Sequence, residues 1–185
     1  MKAFTRLLVI SLVFLNSCIV IKFPSSAKYE KLDSASKAKV IFNDDQCCSK
    51  KNQDLVYAVN AFQLKKCLNM HPKSIVYMWA PYCHGDHCVP LSMFVNTCLQ
   101  KGYYPIIVAE YLEFPTIENM NNTEYPVFTM DHRYYKQEKT TKCIDPFTLE
   151  LTGQKKGKKD IGARYLVFEK DRFLGFKVDL NTVGL

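Results

Sequence analysis

Two cysteines, Cys83 and Cys88, bracket two histidines in the run Trp79-Ala80-Pro81-Tyr82-Cys83-His84-Gly85-Asp86-His87-Cys88. A thiolate is both a nucleophile and a metal ligand, so the run admits two kinds of chemistry. One is thiol–disulfide exchange between Cys83, Cys88 and the thiols or disulfides of another protein. The other is coordination, since two thiolates and two imidazoles suit zinc or copper(I). Four ligands within six residues cannot readily surround one ion, however, because strong sites draw ligands from separated segments. Dithiol chemistry is the first expectation.

The elements on either side place this run. Ser74 to Trp79 (SIVYMW) has the composition of a buried strand. Leu91, Phe94, Val95, Cys98 and Leu99 fall at i, i+3, i+4, i+7 and i+8, which predicts an amphipathic helix closed by Gly102. The run therefore sits between a strand end and a helix start. There, unpaired N–H groups and the positive end of the helix dipole would favour the Cys83 thiolate. A helix continuing through residues 83–88 would hold the two Cα atoms roughly 8 Å apart, beyond disulfide reach. The pair closes only if Gly85 and Asp86 form a turn ahead of the helix, with Asp86 as its N-cap.

Elsewhere, Leu55 to Val59 predicts a strand. Asn60 and Gln63 form a capping box for a helix burying Ala61, Leu64, Cys67 and Leu68, which His71-Pro72 ends. Tyr104 to Leu112 reads as a central strand, Pro115 to Asn122 as a weak helix, and Tyr125 to Met130 as a short strand. Asp145-Pro146 is the N-cap and N1 pair of a helix through Leu151. Tyr165–Phe168 and Phe173–Val178 form a hairpin across Glu169 to Arg172. The order predicts an α/β fold with parallel central strands, helices on both faces and an antiparallel edge.

Trp79-Ala80-Pro81-Tyr82-Cys83 resembles the Trp-Ala-x-aromatic-Cys motif of the thioredoxin-like superfamily, and the matching elements run from about Leu55 to Val178. The resemblance implies a three-layer α/β/α fold whose mixed central sheet ends in a β-hairpin. It implies a thiol–disulfide oxidoreductase without a cofactor, Cys83 attacking and Cys88 resolving, acting on protein thiols or disulfides or a redox partner. Substrate would dock on Trp79, Pro81 and Tyr82, and on the residue before the hairpin strand. The family has a cis-proline there, whereas this chain has Ala163 or Arg164. Two residues separate its cysteines; here four intervene. The copper-handling branch of the superfamily uses a wider pair and a distant histidine. That alternative would set Cys83, Cys88 and His132 around copper or zinc. A third reading is a redox-inactive, partner-binding lipoprotein.

The N-terminus carries an export signal. Lys2 and Arg6 form a basic region ahead of the apolar run Leu7 to Leu15, too short for the about 20 residues that span a bilayer. Leu15-Asn16-Ser17-Cys18 resembles a bacterial lipobox. It implies a signal peptide over 1–17, lipidation of Cys18 and a membrane anchored by acyl chains. Ile19 after the cysteine, rather than Asp, implies the outer membrane, facing the periplasm or cell surface. Residues 18–37 read as lipidated N-terminus and tether, and 38–185 as the thioredoxin-like domain.

Of 25 basic and 18 acidic side chains, Lys2 and Arg6 belong to the leader, leaving 23 against 18, or +5. The run Lys155, Lys156, Lys158 and Lys159 supplies most of the excess and reads as a solvated loop. No base-reading motif accompanies it, so no nucleic-acid partner is expected. Export lets the cysteines persist as disulfides. Seven of the eight remain beside Cys18, so at least one thiol is unpaired. Cys67 and Cys98 are expected to be buried as small hydrophobes. A bond between neighbours Cys47 and Cys48 would be strained, leaving one of them to pair elsewhere, for instance with Cys143.

Overall fold

Strand β3, Lys73–Trp79, is buried over nearly its whole length, and its side chains divide by parity between two cores. Ile75 and Tyr77 enter one apolar cluster, Val76 and Met78 the other. A strand buried on both faces reads as a continuous apolar run, as this one does. The computed structural model describes residues 28–51, 54–80, 89–112, 123–155 and 163–183. The helix expected over Pro115 to Asn122 lies outside these residues, and most of the lysine run does too.

Around β3 the sheet comprises β1 (Val40–Phe42), β2 (Val56–Val59), β4 (Tyr104–Ala109), β5 (Val127–Met130), β6 (Tyr165–Glu169) and β7 (Arg172–Lys177). Its order is β1-β2-β5-β4-β3-β6-β7. The first five in that order are parallel, while β6 runs antiparallel to β3 and to β7. The parallel centre and the antiparallel hairpin edge match the expectation.

The helices are α1 (Ser34–Ala38), α2 (Ala61–Asn69), α3 (Leu91–Gln100) and α4 (Ile144–Thr152). Helix α3 buries Leu91, Phe94, Val95 and Cys98 with Ile75, Tyr77, Ile107 and Tyr165 on one face of the sheet. On the other face α2 and α4 bury Leu64, Leu68, Phe147 and Leu151 with Val76, Ile106, Val108 and Phe128. The result is a three-layer α/β/α arrangement.

Local signals explain the helix ends. Asn60 accepts from the Gln63 N–H at 2.9 Å and Gln63 returns the bond to the Asn60 N–H at 3.0 Å, completing the capping box. At the end of α3, Gly102 adopts φ +74°. Its N–H reaches the Leu99 carbonyl at 3.1 Å, and the Tyr103 N–H reaches Cys98 at 2.9 Å. That double bond pattern satisfies carbonyls the helix leaves open, and the left-handed residue it needs is glycine.

Three expectations are corrected. Leu99 is 51% exposed. At about 100° per residue it lies about 80° from Leu91, off a stripe that Phe94 and Val95 bound at about −60° and +40°. Helix α4 starts at Ile144, directly after a 3-10 turn over Thr140–Cys143, so Asp145 is not its N-cap. Pro146 stays in the first turn, where no N–H is required. Residues 28–37, read as tether, form a 3-10 turn at Tyr29–Lys31 and most of α1, and Tyr29 and Leu32 pack against the core.

Candidate functional site

The C-terminal ends of the parallel strands share one edge of the sheet, and Trp79 closes β3 there, half-buried against the α3-side core. Pro81, Tyr82, Cys83 and Cys88 lie outside the described residues, as does Cys18. The chain is described again from Val89, whose carbonyl accepts a hydrogen bond from the Tyr77 hydroxyl at 3.2 Å. Burial holds that hydroxyl above its ordinary pKa, which keeps it a donor. Helix α3 then begins at Leu91 with Pro90 as N-cap and no side-chain capping bond. Asp86, the N-cap that a turn ahead of the helix would use, lies outside the described residues and is not the cap of α3. In sequence, the start of α3 lies three residues beyond Cys88 and eight beyond Cys83.

Arg164 opens the hairpin side of this edge. Its carbonyl accepts from the Met78 N–H at 2.9 Å. Its guanidinium donates to the Met78 carbonyl and to Glu110 Oε2, each at 3.3 Å. Glu110 follows β4, and its N–H donates to the Trp79 carbonyl at 2.9 Å. Arg164 and Glu110 thus bracket the last two residues of β3, tying three strand ends together by charge-assisted bonds. Ala163, beside Arg164, is partly exposed, and no cis peptide occurs among the described residues. The sequence reading singled out Ala163 and Arg164 but missed Glu110. Nothing local marks an acid 54 residues away from its arginine.

His132 follows β5 at the same edge, two strand spacings or about 10 Å from β3. It is 5% exposed. Its ring stacks on Tyr29 at 5.3 Å and meets Phe42 edge-on at 5.8 Å. Nε2 lies 3.5 Å from Glu30 Oε1, and Nδ1 has no hydrogen-bond partner among the described residues. The structure brings His132 to the edge that carries Trp79 but engages its ring with the N-terminal segment and β1.

Of the remaining cysteines, Cys98 is buried in the core as expected, while the others are arranged differently. Cys67, read as a lone core cysteine, is bonded to Cys48 with a Cα–Cα distance of 5.1 Å. Cys143 is not the partner of either neighbour; Cys47, Cys98 and Cys143 are free and buried. Both Cys48 and Cys67 project from where a 3-10 turn, Cys47–Ser49, meets the apolar face of α2. Burial, and then the nearby Asp44 carboxylate, push the Cys47 thiol up to about 11. Burial alone pushes Cys98 up to about 12. Burial and then Asp131 push Cys143 up to about 11. At neutral pH these three are protonated and inert as nucleophiles.

Tyr134 and Tyr135 occupy a turn after β5 and both donate to Glu150 of α4, at 3.0 and 2.7 Å. Among the described residues no helix is long and apolar enough to cross a membrane. In comparisons with known proteins, no family model, no curated protein and no solved structure matches this chain.

Proposed function

We propose that the chain is a membrane-anchored, extracytoplasmic thiol–disulfide oxidoreductase of thioredoxin-like fold, with Cys83 and Cys88 as its dithiol and Cys18 as its lipid attachment. The observation that carries the reading is the position of Trp79 at the end of the central strand β3, with α3 beginning shortly after the cysteine run. The antiparallel hairpin on the β3 side of the sheet supports it as well. In the exchange, a substrate thiolate attacks the Cys83–Cys88 disulfide at Cys83, and Cys88 leaves as thiolate. A second substrate thiolate then displaces Cys83. Two electrons pass from substrate to protein, and the reverse sequence oxidises the protein's dithiol. Trp79 and the Ala163–Arg164 segment are the docking surface in this reading. Arg164 holds the end of β3 in place through Met78 and Glu110.

Cys88→Ser decides it. With the resolving thiol gone, Cys83 should accumulate a mixed disulfide with its substrate, recoverable from membranes, while Cys83→Ser should trap nothing. If unreduced protein shows Cys83 and Cys88 both free after mild oxidant, the dithiol mechanism fails.

A further inference from the structure

Cys47, Cys48 and Cys67 bring three sulfur atoms within 4.8 Å of one another, the one group of three or more ligand-type side chains among the described residues. Two are joined as the Cys48–Cys67 disulfide, and the third, Cys47, is a free thiol that is 2% exposed. Neighbouring positions in a tight turn present Cys47 and Cys48 to the same partner sulfur on α2. A structural disulfide needs two of these residues. The third has no covalent role, yet it sits against the bond.

We propose that this group is a redox-gated site for one soft monovalent cation, copper(I), closed in the disulfide form and opened by a dithiol reductant. Reduction adds two electrons and two protons to Cys48–Cys67, oxidising the reductant to its own disulfide. Three thiols then face one point, and each gives up its proton as its sulfur coordinates the cation. Metal–sulfur bonds of about 2.3 Å in a trigonal array put the sulfurs roughly 4 Å apart, within the spread already present. Only the bonded pair must separate, and Cys48 lies on a partly exposed turn.

The donor set selects the cation. Three thiolates without imidazole or carboxylate suit a soft ion. Structural zinc takes four ligands, and among the described residues no fourth joins the group. Tyr57, Val59, Leu64 and Phe128 belong to the same apolar cluster. This inference does not depend on the Cys83–Cys88 reading.

The test uses the full chain carrying Cys18→Ser, Cys83→Ser and Cys88→Ser, so that neither the anchor nor the proposed dithiol can bind metal. Copper(I) is titrated against a chromogenic copper(I) chelator, before and after reduction with a phosphine. The expected result is one tightly held equivalent in the reduced chain and none in the oxidised chain. Peptide mapping of the loaded protein should show Cys47, Cys48 and Cys67 together shielded from alkylation. Adding Cys67→Ser should weaken uptake at least tenfold. If that variant does not fold, Cys48→Ser on the exposed turn decides in its place. Equal uptake by the oxidised chain, unchanged uptake by the serine variant, or no uptake after reduction would each overturn the site. Displacement of bound copper(I) by equimolar zinc(II) would overturn the choice of cation. The Cys88→Ser trapping experiment is unaffected by any of these outcomes.

Discussion

Among the described residues, one face of the sheet is covered by α3 with Leu180 and Val183 beside it, the other by α2 and α4 together, and the two faces hold their helices by different means. Under α3 the core ties are apolar, and the polar ones sit at its ends, from the Tyr77 hydroxyl to the Val89 carbonyl and from Lys101 Nζ to the Asn181 and Val183 carbonyls. Phe94 lies 4.9 Å from Tyr77 and 6.1 Å from Tyr165, ring to ring, and Cys98 fills the remaining space beside them. Under α2 and α4 the apolar core is supplemented by directional ties: the Cys48–Cys67 bond, the Asn60–Gln63 capping box, and the Tyr135 hydroxyl that links both helices. The same residue type consequently behaves differently on the two sides. Cys98, with no sulfur partner, is packing. Cys67, equally buried and equally placed on a helix face, is covalent chemistry because a turn delivers two more cysteines to it.

The comparison is tested most severely at Phe94. It is fully buried under α3, so Phe94→Ala should cost about 3–5 kcal/mol. Urea unfolding at constant slope measures it. A loss under about 1 kcal/mol would mean that α3 is not held by this stripe.

How much of this was legible in the sequence follows the same division. Apolar periodicity is local, so Ala61, Leu64, Cys67 and Leu68 on α2, and Leu91, Phe94, Val95 and Cys98 on α3, could be placed from spacing alone. The capping box and the hairpin were equally readable, each resting on neighbours in the chain. The strand order was not. β5 lies between β2 and β4, and the three-residue β1 is too short to show alternation. Cys67 illustrates the limit. Its place on an apolar helix face is what a core cysteine shows, and a separation of 19 residues from Cys48 follows no helical or strand period. The Arg164–Glu110 pair is hidden for the same reason, since only the folded sheet brings those strand ends together.

A smaller effect separates the faces by pH. The Cys98 thiol is pushed by burial from its ordinary 9.0 up to about 12. Folding thus keeps a proton that the unfolded chain releases. The stability this represents is fully present below about pH 9 and is lost as pH rises toward 12, at no more than about 1.4 kcal/mol per unit. Cys47 and Cys143 add to the same alkaline decline from the other face. Urea midpoints collected across this range for the native chain and for Cys98→Ala isolate the α3 side. The variant should lose stability less steeply, and parallel curves would show that Cys98 keeps no proton by burial.

The smallest effect probes the tie between α2 and α4. The Tyr135 hydroxyl accepts the Ala61 N–H at 3.0 Å and donates to Glu150 Oε2 at 2.7 Å. Ala61 N–H belongs to the first turn of α2, where no intrahelical carbonyl is available. Tyr135→Phe keeps the ring, which meets Phe147 edge-on at 6.2 Å, and removes both bonds. Glu150 retains its bond to Tyr134, and the capping box still fixes the start of α2, so the rest of the junction stays in place. What remains is one partly buried N–H without its acceptor and one weaker carboxylate shell, a cost of about 1 kcal/mol. Unfolding of Tyr135→Phe alone and combined with Glu150→Gln gives the coupling, expected to be positive because the two side chains share a hydrogen bond. Additive losses would place the junction's strength in apolar packing, and the two faces would then be held alike.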